Sequence, residues 1–225
     1  MPRDFFGNYP IVAGLGFSRD VLLLDDCEGT MTWIIGGDGG DDLHEFAAAA
    51  AWQGTYGMHL KTRTTGTTED DETLAEKLFD YPATNLLVAR LRVTPVVVAN
   101  TKSAGLYLRA GDGAEQYQGA ILLNIAAGTV TYIDSAGAAV EIPALATTFI
   151  GENWYTLELA IDLQAHTYLH VRFNGLEADL STVALRDLGA SGARDGYLLL
   201  AATASAAGPG ELYADNIVVH QIPEA

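Results

Sequence analysis

The sequence predicts an all-β protein: a jelly-roll β-sandwich of two antiparallel sheets, preceded by an extended N-terminal arm. Three observations point there. Apolar residues recur with period two over roughly a dozen short segments, and turn residues separate those segments at regular spacing. In addition, 49% of the 225 residues are hydrophobic and only 18% are charged, against about 25% charged in an average globular chain, so enough apolar surface exists to fill a core. Residues 1–20 read as the arm and residues 21–225 as one sandwich domain, since no linker or fixed-period repeat divides them.

The arm places Phe5, Phe6, Tyr9 and Phe17 among Gly and Pro with no sustained period. Such aromatic residues want a surface, either their own sandwich or a neighbouring subunit, and Phe5, Phe6 and Tyr9 are the candidate arm contacts. Val21 to Leu24 is an apolar strand that ends at Asp25-Asp26, and a Gly/Asp loop runs from Gly36 to Asp42. Tyr56 to Thr62 alternates, with Tyr56, Met58 and Leu60 on one face. Glu72 to Asp80 fits a short helix or a strand, and its β surroundings favour the strand. From Asn85 to Val93, Leu87, Ala89, Leu91 and Val93 share one face and Arg90 and Arg92 the other. Ala104 to Ala110 repeats this design, with Leu106 and Leu108 inward and Tyr107 and Arg109 outward.

Gly111-Asp112-Gly113 then turns the chain into strands at Tyr117 to Asn124, Thr129 to Asp134 and Ala138 to Ile142. Trp154 to Asp162 puts Tyr155, Leu157, Leu159 and Ile161 on one face. Thr167 to Asn174 does the same with Leu169, Val171 and Phe173, and Asn174-Gly175 is a hairpin signal into Leu176 to Leu180. Tyr197 to Ala202 and Glu211 to Ile222 close the pattern. The alanine run Ala47 to Ala51 reads as close packing or loop.

Charge and cysteine content narrow the function. The formal net charge is −17, from 12 basic and 29 acidic residues. A polyanion needs Lys and Arg to displace its counterions, so nucleic acid is excluded as a partner, and docking on anionic membrane is disfavoured for the same reason. No apolar run approaches the roughly 18 residues of a spanning helix. Asp4, Asn8 and Pro10 interrupt the start, which does not read as a signal peptide, so production in the cytoplasm is expected. Cys27, the single cysteine, cannot form an internal disulfide and reads as a small buried apolar residue.

Some segments resemble known patterns. Leu23-Leu24-Asp25-Asp26-Cys27-Glu28-Gly29 with Trp33, then Gln53-Gly54-Thr55-Tyr56-Gly57-Met58-His59-Leu60, and finally Tyr213-Ala214-Asp215-Asn216-Ile217-Val218-Val219 resemble the first, an early and the last strand of jelly-roll carbohydrate-binding modules. Cys27 stands where those modules usually have an aromatic residue. Asn153-Trp154-Tyr155-Thr156-Leu157-Glu158-Leu159-Ala160-Ile161-Asp162 and Val171-Arg172-Phe173-Asn174-Gly175 are similar to the laminin-G and concanavalin A-like sandwiches. The resemblance implies a structural Ca²⁺ between first and last strands, with Asp26, Glu28 and Asp215 as its acidic ligands and backbone carbonyls completing the shell. The alternative is that Asp25 and Asp26 cap a turn while Asp215 bonds the backbone.

Enzyme signatures are absent from the sequence. No strand holds the alternating acids of concanavalin A-like glucanases, and there is no Gly-x-Ser-x-Gly elbow or phosphate loop. His166 and His170 could share a strand face, without a third metal ligand in view. Gly36 to Asp42 resembles a single copy of a Gly/Asp Ca²⁺ repeat, which needs stacked copies, and so reads as a solvated loop. The run Glu69-Asp70-Asp71-Glu72 reads as a soluble turn.

One face stands out in so acidic a chain. Arg90, Arg92, Tyr107, Arg109, Tyr132 and Arg172 all fall on outward positions of candidate strands. If those strands pair, they make a Tyr/Arg surface suited to stacking sugar rings or gripping an acidic neighbour. The alternative is cross-strand ion pairing with Glu158 and Asp162. The expectation is therefore a non-enzymatic structural or interaction module. Its first form is a decorating or structural component of a larger assembly such as a phage virion, in capsid or tail, through neighbouring proteins or self-association. The second is a carbohydrate-binding module that takes a glycan on the Tyr/Arg face. The location expected from these readings is a virion or an extracellular surface.

Overall fold

A computed structural model describes residues 20–38, 41–63, 65 and 67–222, and the alternating segments there become sixteen strands. In chain order these are β1 (Val21–Asp25), β2 (Ile34–Gly37), β3 (Leu43–Ala47), β4 (Gly57–Lys61), β5 (Glu72–Asp80), β6 (Leu86–Pro95), β7 (Thr101–Asp112) and β8 (Glu115–Asn124). They continue with β9 (Thr129–Ile133), β10 (Ala139–Glu141), β11 (Tyr155–Asp162), β12 (Thr167–Phe173), β13 (Leu176–Asp179), β14 (Arg186–Ala190), β15 (Arg194–Ala204) and β16 (Glu211–Ile222). Ala48–Ala50 and Pro143–Leu145 each form one turn of 3-10 helix, the first within the alanine run. The proposed arm contacts Phe5, Phe6 and Tyr9 lie outside the described residues.

The strands build two sheets. Sheet A runs β13-β12-β11-β6-β16-β4-β3, with β1 also against β16; sheet B runs β10-β9-β8-β7-β15-β5-β2, with β14 also against β8. The inner faces of the two sheets supply the core, as in any sandwich. Leu87, Ala89, Leu91 and Val93 of β6 and Tyr155, Leu157, Leu159 and Ile161 of β11 are all at most 2% exposed, so the expected phase of both strands holds. Leu106 and Leu108 of β7 meet them from sheet B, also buried. Cys27 is buried at the end of β1, where Asp25 Oδ1 accepts its N–H at 2.9 Å. Burial, and then the Asp25 and Asp215 carboxylates, push its thiol up, so it behaves as packing.

Two inward positions differ from the alternation. In β12 the pairing with β11 slips between Ala160 and Ile161, which opposes Ile161 to Tyr168 and leaves Leu169 at the irregularity. Tyr168 therefore takes the buried position, and Leu169 is half-buried. In β9 the phase is the reverse of that expected for Tyr132. Register with β8 puts Val130 opposite Leu123 and Tyr132 opposite Ile121, both core residues, so Tyr132 packs inward with its ring 5.7 Å from that of Tyr168. The Asn174-Gly175 turn forms as expected, with φ of 49° and 83° that suit a tight two-residue hairpin.

Candidate functional site

The six residues expected on one Tyr/Arg face do not meet. Arg90 and Arg92 of β6 and Arg172 of β12 stand on the outward side of sheet A. Tyr107 and Arg109 of β7 stand on the outward side of sheet B, across the sandwich, and Tyr132 faces the core. The cause is the β6–β7 connection, which passes from one sheet to the other. Alternation fixes which side of its own strand a residue occupies, and that connection sends the same pattern to opposite surfaces.

On sheet A the charges pair. In register across four strands stand Glu177, Arg172, Glu158 and Arg90. Glu158 is 3% exposed; Arg90 Nε donates to its Oε2 at 2.5 Å, Arg172 Nη1 to its Oε1 at 3.0 Å, and His170 Nε2 lies 2.9 Å from Oε1. Arg172 also donates to Glu177. Burial pushes the Glu158 carboxyl up, but its hydrogen bond with His170 and the two arginines outweigh that and hold it at about 2. Asp162, the other expected partner, instead caps the following turn through the N–H groups of Gln164 and Ala165. His166 stacks on Tyr117 at 3.8 Å, apart from His170 on Glu158, so the two histidines do not share a site.

On sheet B the outward side brings together groups that sequence reasoning treated separately. In one row across neighbouring strands stand Leu78 of β5, Tyr197 of β15, Arg109 of β7 and Gln118 of β8; in the next stand Glu76, Leu199, Tyr107 and Ala120. Arg109 Nε donates to Gln118 Oε1 at 2.7 Å, and its Nη1 lies 4.0 Å from Glu76 Oε2. A Cβ on Gly105 would come within 2.6 Å of Tyr107 Cε2, so only glycine lets that ring lie over the strand. Tyr107 is pushed up to about 12 by burial and by Glu72, against a smaller opposing effect of Arg109. Tyr197 reaches about 12 through its hydrogen bond to Asp195 and then burial. At neutral pH both phenols stay protonated, which suits them to donate and accept hydrogen bonds. Glu76, Gln118 and Tyr197 were missed because outward polar residues on a strand carry no signal until the register is known.

The three side chains expected as Ca²⁺ ligands are each engaged by backbone N–H groups. Asp215, fully buried, accepts from Trp52 and Gln53 at Oδ2 and from Asn216 at Oδ1, at 2.8, 3.0 and 2.6 Å. Glu28 Oε1 accepts from Thr55 and Tyr56, and Asp26 Oδ1 from Glu28. Among the described residues no three acid, His or Cys side chains are grouped to hold a metal ion. Two of these carboxylates, Asp215 and Glu28, also hold the segment 52–56 through its N–H groups. That segment brings Trp52 to Arg92, whose Cζ lies 4.9 Å from the ring centroid, and to Trp154, 5.8 Å away.

No protein-family model matches the chain, and no curated protein matches it. Solved structures do. An endo-β-1,4-glucuronan lyase from the fungus Trichoderma reesei is 13% identical with a TM-score of 0.60, over 89% of this chain and 95% of that one. The cellulose induced protein Cip1 is 12% identical with a TM-score of 0.56, over 88% and 96%. The alginate lyase vAL-1 from Chlorella virus is 10% identical with a TM-score of 0.52, over 84% and 93%. Likeness at such identities establishes architecture alone: this chain is a jelly-roll β-sandwich of the concanavalin A-like type.

Proposed function

We propose that this protein is a carbohydrate-binding module that holds a polysaccharide across the outward side of sheet B. The observation behind the reading is the cluster on β5, β15, β7 and β8: Tyr107 and Tyr197 to meet sugar rings and hydroxyls, with Glu76 and Arg109, itself held by the buried Gln118, to fix their orientation. The ligand class follows two of the similar sandwiches, which are named for acting on glucuronan and alginate. Both tyrosines are neutral at physiological pH, which favours binding over proton abstraction. On a broad glycan array the protein is expected to retain at least one polysaccharide, and Tyr107→Ala or Arg109→Ala is expected to weaken retention about tenfold, the loss of one charge-assisted or stacked contact. Silence across the array would overturn the reading.

A second reading, a component of a larger assembly, has one observation of its own. Edge strand β2 presents Ile34 and Ile35, each 54% exposed, beside Leu78 of β5 at 45%. An exposed apolar edge is a template for another chain. Light scattering is expected to show self-association that Ile35→Lys abolishes, and a monomer at all concentrations would count against it.

A further inference from the structure

The outward side of sheet A holds three arginines, and they are not alike. Arg90 and Arg172 are bound to Glu158. Arg92 makes no ion pair among the described residues, its buried Nε has no hydrogen-bond partner, and the neighbouring Arg90 bears on it as a like charge. The carboxylate opposite it in register, Asp215, is turned to the N–H groups of Trp52, Gln53 and Asn216. In a protein of charge −17 this guanidinium has been left with donors to spare.

Its surroundings say what could take them. Trp52, 46% exposed, lies under the guanidinium, and the half-buried ring of Trp154 stands 5.8 Å from that of Trp52 at 56°. Stacking on an indole holds a guanidinium in place while its edge keeps the fork of donors that matches a carboxylate. Two partly exposed indoles beside that fork offer flat faces to the C–H side of a pyranose ring.

We propose that Arg92, Trp52 and Trp154 form a second binding site, on the sheet opposite the proposed polysaccharide face, for a carboxylate-bearing sugar, a uronic acid residue. The carboxylate sits on the terminal Nη donors of Arg92, and the sugar ring lies against the tryptophans. The under-satisfied guanidinium is the feature that a ligand carboxylate answers: its Nε is out of water without a partner, and its charge has no ion-pair partner among the described residues.

The test is a titration of the whole protein with tetragalacturonate, followed by calorimetry and by tryptophan emission. Trp33, the third tryptophan, is buried and hydrogen-bonded to Asp25, so emission changes report Trp52 and Trp154. Saturable binding with a shift in emission is expected. Arg92→Gln should weaken it at least tenfold, and Arg92→Lys, which keeps the charge without the fork, should fall between. Arg194→Gln removes an arginine from the similar ring contact with Tyr81, at 4.8 Å, and should bind as the native protein does. Equal binding of maltotetraose or of tetraglutamate would overturn the proposal, the first by removing the carboxylate and the second by removing the sugar. Binding without an emission change, lost in Tyr107→Ala and kept in Arg92→Gln, would overturn this site and leave the sheet B reading standing.

Discussion

Glu158→Ala is expected to cost roughly 3–5 kcal/mol of stability, the range found when one partner of a buried charge cluster is removed. Glu158 is the single acceptor common to Arg90, Arg172 and His170, and it is 3% exposed. Without it two guanidiniums face each other across β11 with no counter-charge between them. For a domain of this size the melting temperature should fall by roughly 10 °C. The native protein should also show a matching acid dependence. The folded carboxyl is held at about 2, below its ordinary range, so its contribution is complete above the unfolded pKa, near 4.3, and is lost as the pH falls from there towards 2. Denaturation followed from neutral pH to pH 2 should therefore show a steeper loss for the native protein than for the variant. Equal slopes and an unchanged melting point would show that the cluster does not contribute to folding.

Tyr168→Phe, a change of one oxygen, is expected to cost roughly 2–4 kcal/mol, because it orphans two buried backbone groups at about 1–3 kcal/mol each. Tyr168 sits on β12 of sheet A, but its hydroxyl reaches through the core to sheet B. It accepts from Ala120 N–H at 2.9 Å and donates to Ile133 C=O at 2.6 Å. The need arises from the topology. One side of β8 is shared by β14, which pairs with residues up to Gln118, and β9, which begins pairing at Ile121. Ala120 lies in the gap, and the phenol completes the ladder there. Core volume is nearly unchanged in the variant, so urea denaturation isolates the hydrogen bonds, and amide exchange at Ala120 should quicken. A variant as stable as the native protein would mean that water or another group takes over.

The strands that bury one face were legible in the sequence, because β6, β7 and β11 each write a period-two apolar line, and β15 was legible as a continuous apolar run from Tyr197 to Ala202. Those that bury none were not. β14 has the residues Arg-Asp-Leu-Gly-Ala with no buried member, and β2 has Ile-Ile-Gly-Gly with both isoleucines exposed, so neither has a phase to read. Tyr168 was missed because the slip at Ala160/Ile161 shifts the phase of β12 halfway along, which composition does not announce. For the site, sequence patterning found Tyr107 and Arg109 as outward residues and found the sheet A arginines equally well. It could not assign them to different surfaces, since that depends on where a short connection crosses the core. Trp52 lies in no periodic segment and Trp154 only opens one; the folding of 52–56 onto Asp215 brings Trp52 to Arg92 and to Trp154.

The positions of β15 and β16 have a consequence for how the chain is made. β16 lies in the middle of sheet A, between β6 on one side and β4 and β1 on the other, and β15 lies in the middle of sheet B, between β7 and β5. Both sheets therefore stay split while the ribosome is still synthesising residues 194–222. Until then β4, β5, β6 and β7 each present an open edge, flanked by apolar faces that have nothing to close on. Neither half can be finished early, so folding waits for the last strands and joins partners as far apart in sequence as Val21 and His220. Such late, long-range closure makes for slow folding, and a nascent chain of this kind depends on being kept from its neighbours until its final segment arrives.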